Sequence, residues 1–181
     1  MTVTTTALAG VLIVEPKAFT DARGNFVESY NQRDLDTAVG RELRFVQDNH
    51  STSSRHVLRG LHYQIAQPQG KLVRVISGEI FDVAVDLRTG SPTFGRWDAV
   101  TLNAESRKQV WIPEGLAHGF LVMSESAEVL YKTTDYYAPE HERTIRWDDA
   151  ALGITWPVSG TPILSAKDAS GQAMADAEYF D

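Results

Sequence analysis

The chain has 181 residues, 43% of them hydrophobic and 23% charged, an ordinary composition for a soluble globular protein able to bury a sizeable core. Seventeen Lys and Arg stand against 24 Asp and Glu; the net charge of −7 argues against a general nucleic-acid binder but leaves room for a local basic cluster that holds a small anion. No cysteine is present, which excludes disulfides, thiolate metal sites and cysteine nucleophiles.

Met1-Thr-Val-Thr-Thr-Thr6 lacks the charge and apolar core of a signal peptide, and the apolar stretch Ala7 to Val14 is far too short to span a bilayer. The expectation is a cytosolic chain with no membrane partner. Short β-type runs then recur between turn signals. Val11–Val14 and Phe26–Tyr30 come first, separated by Asp21-Ala-Arg-Gly24. Asn31 is placed to cap a short helix running to Val39, with Asp34 in its first turn and Gly40 stopping it. Strand-like runs continue at Val57–Tyr63, Lys71–Ser77, Ile80–Leu87, Trp97–Leu102, Val110–Ile112, Phe120–Met123, Glu128–Thr133 and Thr144–Trp147. A second helix starts near Ser165, weakened by Gly171. In Ile80–Leu87, the clearest strand, Phe81, Val83, Val85 and Leu87 alternate with Asp82, Ala84 and Asp86. Many short strands with little helical periodicity predict an all-β sandwich or barrel with a few short helices. No repeat, linker or low-complexity segment divides residues 1–181, so one domain is expected.

Five histidines are present: His50, His56, His62, His118 and His141. His62 lies in Val57-Leu-Arg-Gly-Leu-His-Tyr-Gln64, where it could point into a sandwich interior and transfer protons, or simply be a hydrogen-bonded core residue. His118 ends Pro113-Glu-Gly-Leu-Ala-His118, similar to the second motif of the cupins. Metal-binding cupins take further ligands from an earlier His-x-His strand; here that strand reads Leu61-His-Tyr-Gln64, and a metal site is disfavoured. Lys71, Tyr131 and Asp168 each have a plain alternative, as a solvated strand-edge lysine, a core aromatic and a helix-capping carboxylate.

Together the segments are more specific. Asp21-Ala-Arg-Gly-Asn-Phe-Val-Glu28, Val46-Gln-Asp-Asn-His-Ser51, Val57–Gln64, Gly70-Lys-Leu-Val-Arg74, Ile80–Arg88, Ser91-Pro-Thr-Phe-Gly95, Trp111–Phe120, Tyr131-Lys-Thr-Thr-Asp-Tyr-Tyr137 and Leu164-Ser-Ala-Lys-Asp168 follow one order. In that order they resemble the dTDP-4-dehydrorhamnose 3,5-epimerase family. The resemblance runs from about Val11 to Asp168 and leaves the last dozen residues outside it. It implies a cupin-like double-stranded β-helix, or jelly roll, without metal or other cofactor, acting on a dTDP-4-keto-6-deoxy sugar as a homodimer. His62 would be the base, with Asp168 as its orienting carboxylate and Asp82 as a second candidate. Tyr131 would be the proton donor, and Lys71 would contact the ketone oxygen. Arg23, Glu28, Gln47, Asn49, Arg59, His118, Glu142 and Lys167 would form the substrate-binding set, the arginines and Lys167 facing the diphosphate.

The residue types suit that chemistry. Hydrogens beside a ketone are acidic; removing one to a base and returning another from the opposite face inverts the carbon. An ammonium group stabilises the intermediate enolate, and guanidinium forks suit a diphosphate. One geometric condition follows: Arg59 and His62 are an odd number of residues apart and would face opposite ways on a regular strand, so a bulge at Gly60 is predicted.

Overall fold

A computed structural model describes residues 1–181. In chain order its strands are β1 (Thr2–Thr5), β2 (Leu12–Glu15), β3 (Ala18–Asp21), β4 (Gly24–Val27), β5 (Gln47–Ser54), β6 (Leu58–Gln64), β7 (Lys71–Ser77), β8 (Glu79–Asp86), β9 (Trp97–Asn103), β10 (Gln109–Ile112), β11 (Leu116–Val122), β12 (Ser126–Thr133) and β13 (Glu142–Thr144). Two short α-helices, α1 (Gln32–Val39) and α2 (Ala166–Ala169), and two 3₁₀ turns, Pro139–His141 and Met174–Asp176, complete the set. Strands β1-β2-β10-β7-β12-β5 form one antiparallel sheet and β13-β6-β11-β8-β9 another, while β3 and β4 pair only with each other. From β5 to β8 the chain changes sheet at every strand, and it does so again from β9 to β13, which winds the sandwich as a jelly roll.

The expected helices form where their caps stand. The Asn31 side chain accepts from the Asp34 N–H, and Gly40 ends α1 at φ 80°, a left-handed conformation suited to glycine. Ser165 caps α2 in the same way. The strand expectations need adjustment at their ends: Phe26–Tyr30 stops at Val27, Thr144–Trp147 is a strand only at Thr144, and β11 begins earlier, at Leu116. Strands β1, β3 and β5 were not anticipated.

The alternation in β8 is real, but both of its faces are buried. Ile80 and Ala84 point between the sheets, where they join Val73, Val110, Phe120 and Val129. Val83, Val85 and Leu87 point the other way and are covered by Leu152, Trp156 and Met174 from the C-terminal third. Each of the Val, Leu, Ile, Phe and Met side chains among these contributes about 1.5–3 kcal/mol when fully buried. The five-stranded sheet is therefore a middle layer. On the six-stranded sheet, Leu12, Leu72 and Trp111 are covered by Leu35 of α1 and by Leu43.

Candidate active site

The site begins with the irregularity in β6. His62 pairs with His118 and Arg59 with Phe120, so Gly60 and Leu61 together oppose the single residue Gly119. The Gly60–Leu61 peptide is cis, and Gly60 has φ 125°. A Cβ on Gly60 would lie 2.5 Å from the Gly119 Cα, and one on Gly119 would lie 2.6 Å from the Arg59 carbonyl oxygen. Only two facing glycines fit. The extra residue turns Leu58 and Leu61 to the covered face and leaves Arg59 and His62 on the same cavity, as the spacing required.

That cavity has a volume of about 320 Å³. Gln47, Asn49 and Ser51 line it from β5, Arg59 and His62 from β6, Lys71 from β7, His118 from β11, Tyr131 from β12, Glu142 from β13 and Lys167 from α2. The three β5 residues alternate along the strand and so share a face.

His62 Nε2 lies 2.5 Å from Asp168 Oδ1. The carboxylate also accepts from the Ser165 hydroxyl at 2.7 Å and from the Gly60 N–H at 3.3 Å. Asp168 thus serves both helix cap and histidine. Burial alone would raise its pKa, but the hydrogen bonds from His62, Ser165 and Gly60 outweigh that and hold it below the usual carboxylate range. Burial pulls the His62 imidazole below its ordinary value, more than the Asp168 hydrogen bond raises it. At neutral pH the pair is therefore carboxylate and neutral imidazole. An ionised carboxylate only accepts, so Nε2 carries the proton and Nδ1 keeps the basic lone pair.

Lys71 is buried rather than solvated, and its Nζ donates to the His62 carbonyl at 3.4 Å. Burial lowers its pKa to about 8, opposed by the fields of Asp82 and Glu142, so it is still mostly a cation at neutral pH. Burial pushes the Tyr131 phenol up, opposed by Arg59, and keeps its proton on the oxygen. Glu142 accepts from Lys167 at 2.7 Å and from the Tyr137 hydroxyl at 2.9 Å. Arg59 donates through Nε to Ser53 at 3.0 Å, and Gln47 donates to Asn49 at 2.9 Å.

Two expectations change. Asp82 does not orient His62: its Oδ2 lies 2.8 Å from His118 Nε2, because β8 and β11 are adjacent strands whose inner faces meet there. Arg23 and Glu28 lie outside the cavity of their own chain. Both belong to the β3–β4 segment, where Arg23 pairs with Asp21 with its side chain 90% exposed, and Glu28 accepts from Asn31 at 3.0 Å. The sequence reading also missed Ser51, Gly119 and Tyr137. Ser51 continues the alternation from Gln47 and Asn49, and its Oγ is the one buried side-chain polar atom without a partner. Tyr137 ends the segment that begins at Tyr131, and its N–H donates to Gln47 at 3.0 Å. No group of three or more His, Asp or Glu side chains comes together in a way that could hold a metal ion.

Comparison with known proteins places the chain in a family. Residues 5–176 match the family model described as dTDP-4-dehydrorhamnose 3,5-epimerase. A protein of that name from Pseudomonas aeruginosa is 60% identical, with 99% of each chain covered, and one from Shigella flexneri is 56% identical over the same share of both. Among solved structures, a dTDP-6-deoxy-D-glucose-3,5-epimerase from Legionella pneumophila, in complex with dTDP-4-keto-L-rhamnose, superposes with a TM-score of 0.95. It is 48% identical, with 98% of this chain and 94% of that one covered. With fold and near-complete sequence coverage in accord, this chain belongs to the dTDP-4-dehydrorhamnose 3,5-epimerase family.

Proposed function

We propose that the protein, as one domain spanning residues 1–181, inverts C3 and C5 of dTDP-4-dehydro-6-deoxy-D-glucose to give dTDP-4-dehydro-L-rhamnose, in dTDP-L-rhamnose biosynthesis. The observation that carries the reading is the His62–Asp168 pair on one cavity with Tyr131 and Lys71. His62 removes the hydrogen beside the C4 ketone through Nδ1, and Asp168 stabilises the imidazolium. The electron pair moves onto the ketone oxygen, where the Lys71 ammonium meets it in a desolvated setting. Tyr131 returns a proton to the opposite face of the carbon. Arg59 and Lys167 supply the charge that a diphosphate needs, and Gln47, Asn49, His118 and Glu142 supply polar contacts to sugar and base.

The working unit in this reading is a homodimer in the cytosol. The β3–β4 hairpin bonds to no other strand and exposes Phe26 to 70% and Phe19 to 52%, a surface suited to reaching a second copy. Arg23 and Glu28 would then complete the partner's cavity. No helix is long and apolar enough to cross a membrane.

Proton NMR in D2O with the 4-keto sugar tests the reading. Deuterium is expected at both C3 and C5, and His62→Ala should abolish both signals' exchange; exchange that persists removes His62 from the base role. Exchange at a single carbon would make the enzyme a mono-epimerase. For the dimer, co-expressed His62→Ala and Arg23→Ala chains should recover activity that neither has alone, since one of the two cavities in the mixed dimer then holds both His62 and Arg23.

A further inference from the structure

We infer that His118 and Asp82 form a proton relay that carries the proton collected by His62 out of the substrate cavity into a second cavity on the far side of the sandwich. The inference rests on the double-epimerase reading.

The second cavity, about 250 Å³, lies between Thr5, Ile13 and Val110 of the six-stranded sheet and Ala84 and Val100 of the other. Asp82 lines it, whereas its partner His118 lines the substrate cavity. The pair therefore spans the partition between the two. Asp82 is 2% exposed, and only its Oδ2 has a protein partner. Its Oδ1 is not sealed off, since Ser51 Oγ is the one unpartnered buried side-chain atom. Asp86, four residues along the same strand, shows the contrasting structural pattern: both its oxygens are taken by Arg88, Ser91 and Thr93.

The reaction has a use for such a path. After one inversion His62 holds an extra proton and Tyr131 lacks one, and a second inversion of the same ring needs both restored. His62 and His118 are directly paired across β6 and β11, which brings their Cβ atoms to roughly 4.5–5.5 Å. Each ring is tied to its own carboxylate through Nε2, which leaves Nδ1 as the nitrogen each has free for proton exchange, and both histidines line the one cavity. The proton passes from His62 Nδ1 to His118 Nδ1, directly or through one water. His118 releases its Nε2 proton to Asp82, which gives it to water in the second cavity; between turnovers His118 regains its starting tautomer through water, giving up the Nδ1 proton and taking one at Nε2. The Tyr131 phenolate takes one proton from solvent at the mouth of the first cavity, so the enzyme ends each cycle with as many protons as it began. Only N–H and O–H bonds change.

The test compares the rates of the two inversions within one turnover by rapid-quench NMR in D2O. Asp82→Asn keeps an acceptor for His118 but cannot pass a proton. It should slow the second inversion by about tenfold or more relative to the first, so that singly inverted sugar accumulates. Val100→Phe fills the second cavity without touching the first and should skew the two rates in the same direction. Equal slowing of both inversions, or an unchanged ratio in both variants, overturns the relay. If Asp82→Asn does not fold, Val100→Phe decides alone. A wild-type enzyme that exchanges neither carbon instead removes the epimerase reading itself.

Discussion

Two histidine–carboxylate pairs stand side by side on β6 and β11, and their carboxylates come from different parts of the chain. Asp82 is supplied by β8, the strand next to His118, so regular sheet register alone assembles that pair. Asp168 arrives from a helix 106 residues beyond His62, through a strand that must bulge at Gly60 to meet it. The first pair is sheet architecture with a side chain 7% exposed; the second leaves its imidazole 24% exposed to the cavity. For the base of the proposed reaction, exposure and precise orientation are competing demands. The molecule meets them by separating the strand that carries His62 from the segment that steers it.

The largest break in this contrast should come from Asp168→Asn. The amide no longer demands a proton on Nε2, the ring can turn to the wrong tautomer, and kcat should fall on the order of 10³- to 10⁴-fold. Asp82→Asn should cost far less in the first inversion, and steady-state kinetics on both variants checks the difference. Equal losses would show that the two pairs share one role.

Gly60→Ala comes next. Its Cβ meets backbone at 2.5 Å, so β6 must shift and carry Arg59 and His62 with it. A displacement of about 1 Å costs roughly 10²-fold in rate. The change should appear in kcat while the far-ultraviolet circular dichroism of the sheets stays close to wild type.

The pH profile sharpens the comparison further. In the proposed reaction His62 acts as a neutral base, and its pKa is depressed, so kcat/KM should hold as pH falls through the ordinary imidazole range. The same reaction uses Lys71 as a cation, and with a pKa of about 8 it loses that charge as pH rises. The alkaline limb should therefore fall near pH 8, about tenfold for each further unit. Burial raises the Tyr131 phenol, so that group stays protonated beyond this limb. Lys71→Arg keeps its charge at any accessible pH, and should move the limb upward even if the rate is lower.

The smallest effect belongs to Ser165→Ala. It removes the cap of α2 and one of the bonds to Asp168, costing about 1 kcal/mol of stability and a few-fold in kcat. Thermal unfolding and initial rates measure the two losses separately.

What the sequence disclosed, and what it hid, follows from which interactions are local. The caps of α1 and α2 were legible because the capping side chain and its N–H are three residues apart. The shared cavity of Arg59 and His62 was legible because odd spacing around a glycine has one economical solution. Strand β5 was not. Gln47–Ser54 contains no apolar residue, since its inner face walls a polar cavity and most of its other positions are exposed, so period-two hydrophobicity never develops. The outward face of β8 was half legible: the alternation was visible, but the cover comes from Leu152, Trp156 and Met174, in segments without strong periodicity. The partner of Asp82 was hidden for the opposite reason, because register between two strands decides it and no local pattern reports register. The last residues lie outside the resembling motifs, yet they dock: Phe180 packs edge-on against Tyr63, and its carbonyl accepts from the Thr89 N–H at 2.7 Å.

The late position of Asp168 also bears on how a newly made molecule becomes an enzyme. During synthesis the ribosome releases His62 more than a hundred residues before the group that steers it. Through that interval a nascent chain can assemble sheet and pocket while its imidazole remains undirected. In the proposed reaction, full catalytic competence then waits for the trailing segment to seat itself beside the imidazole.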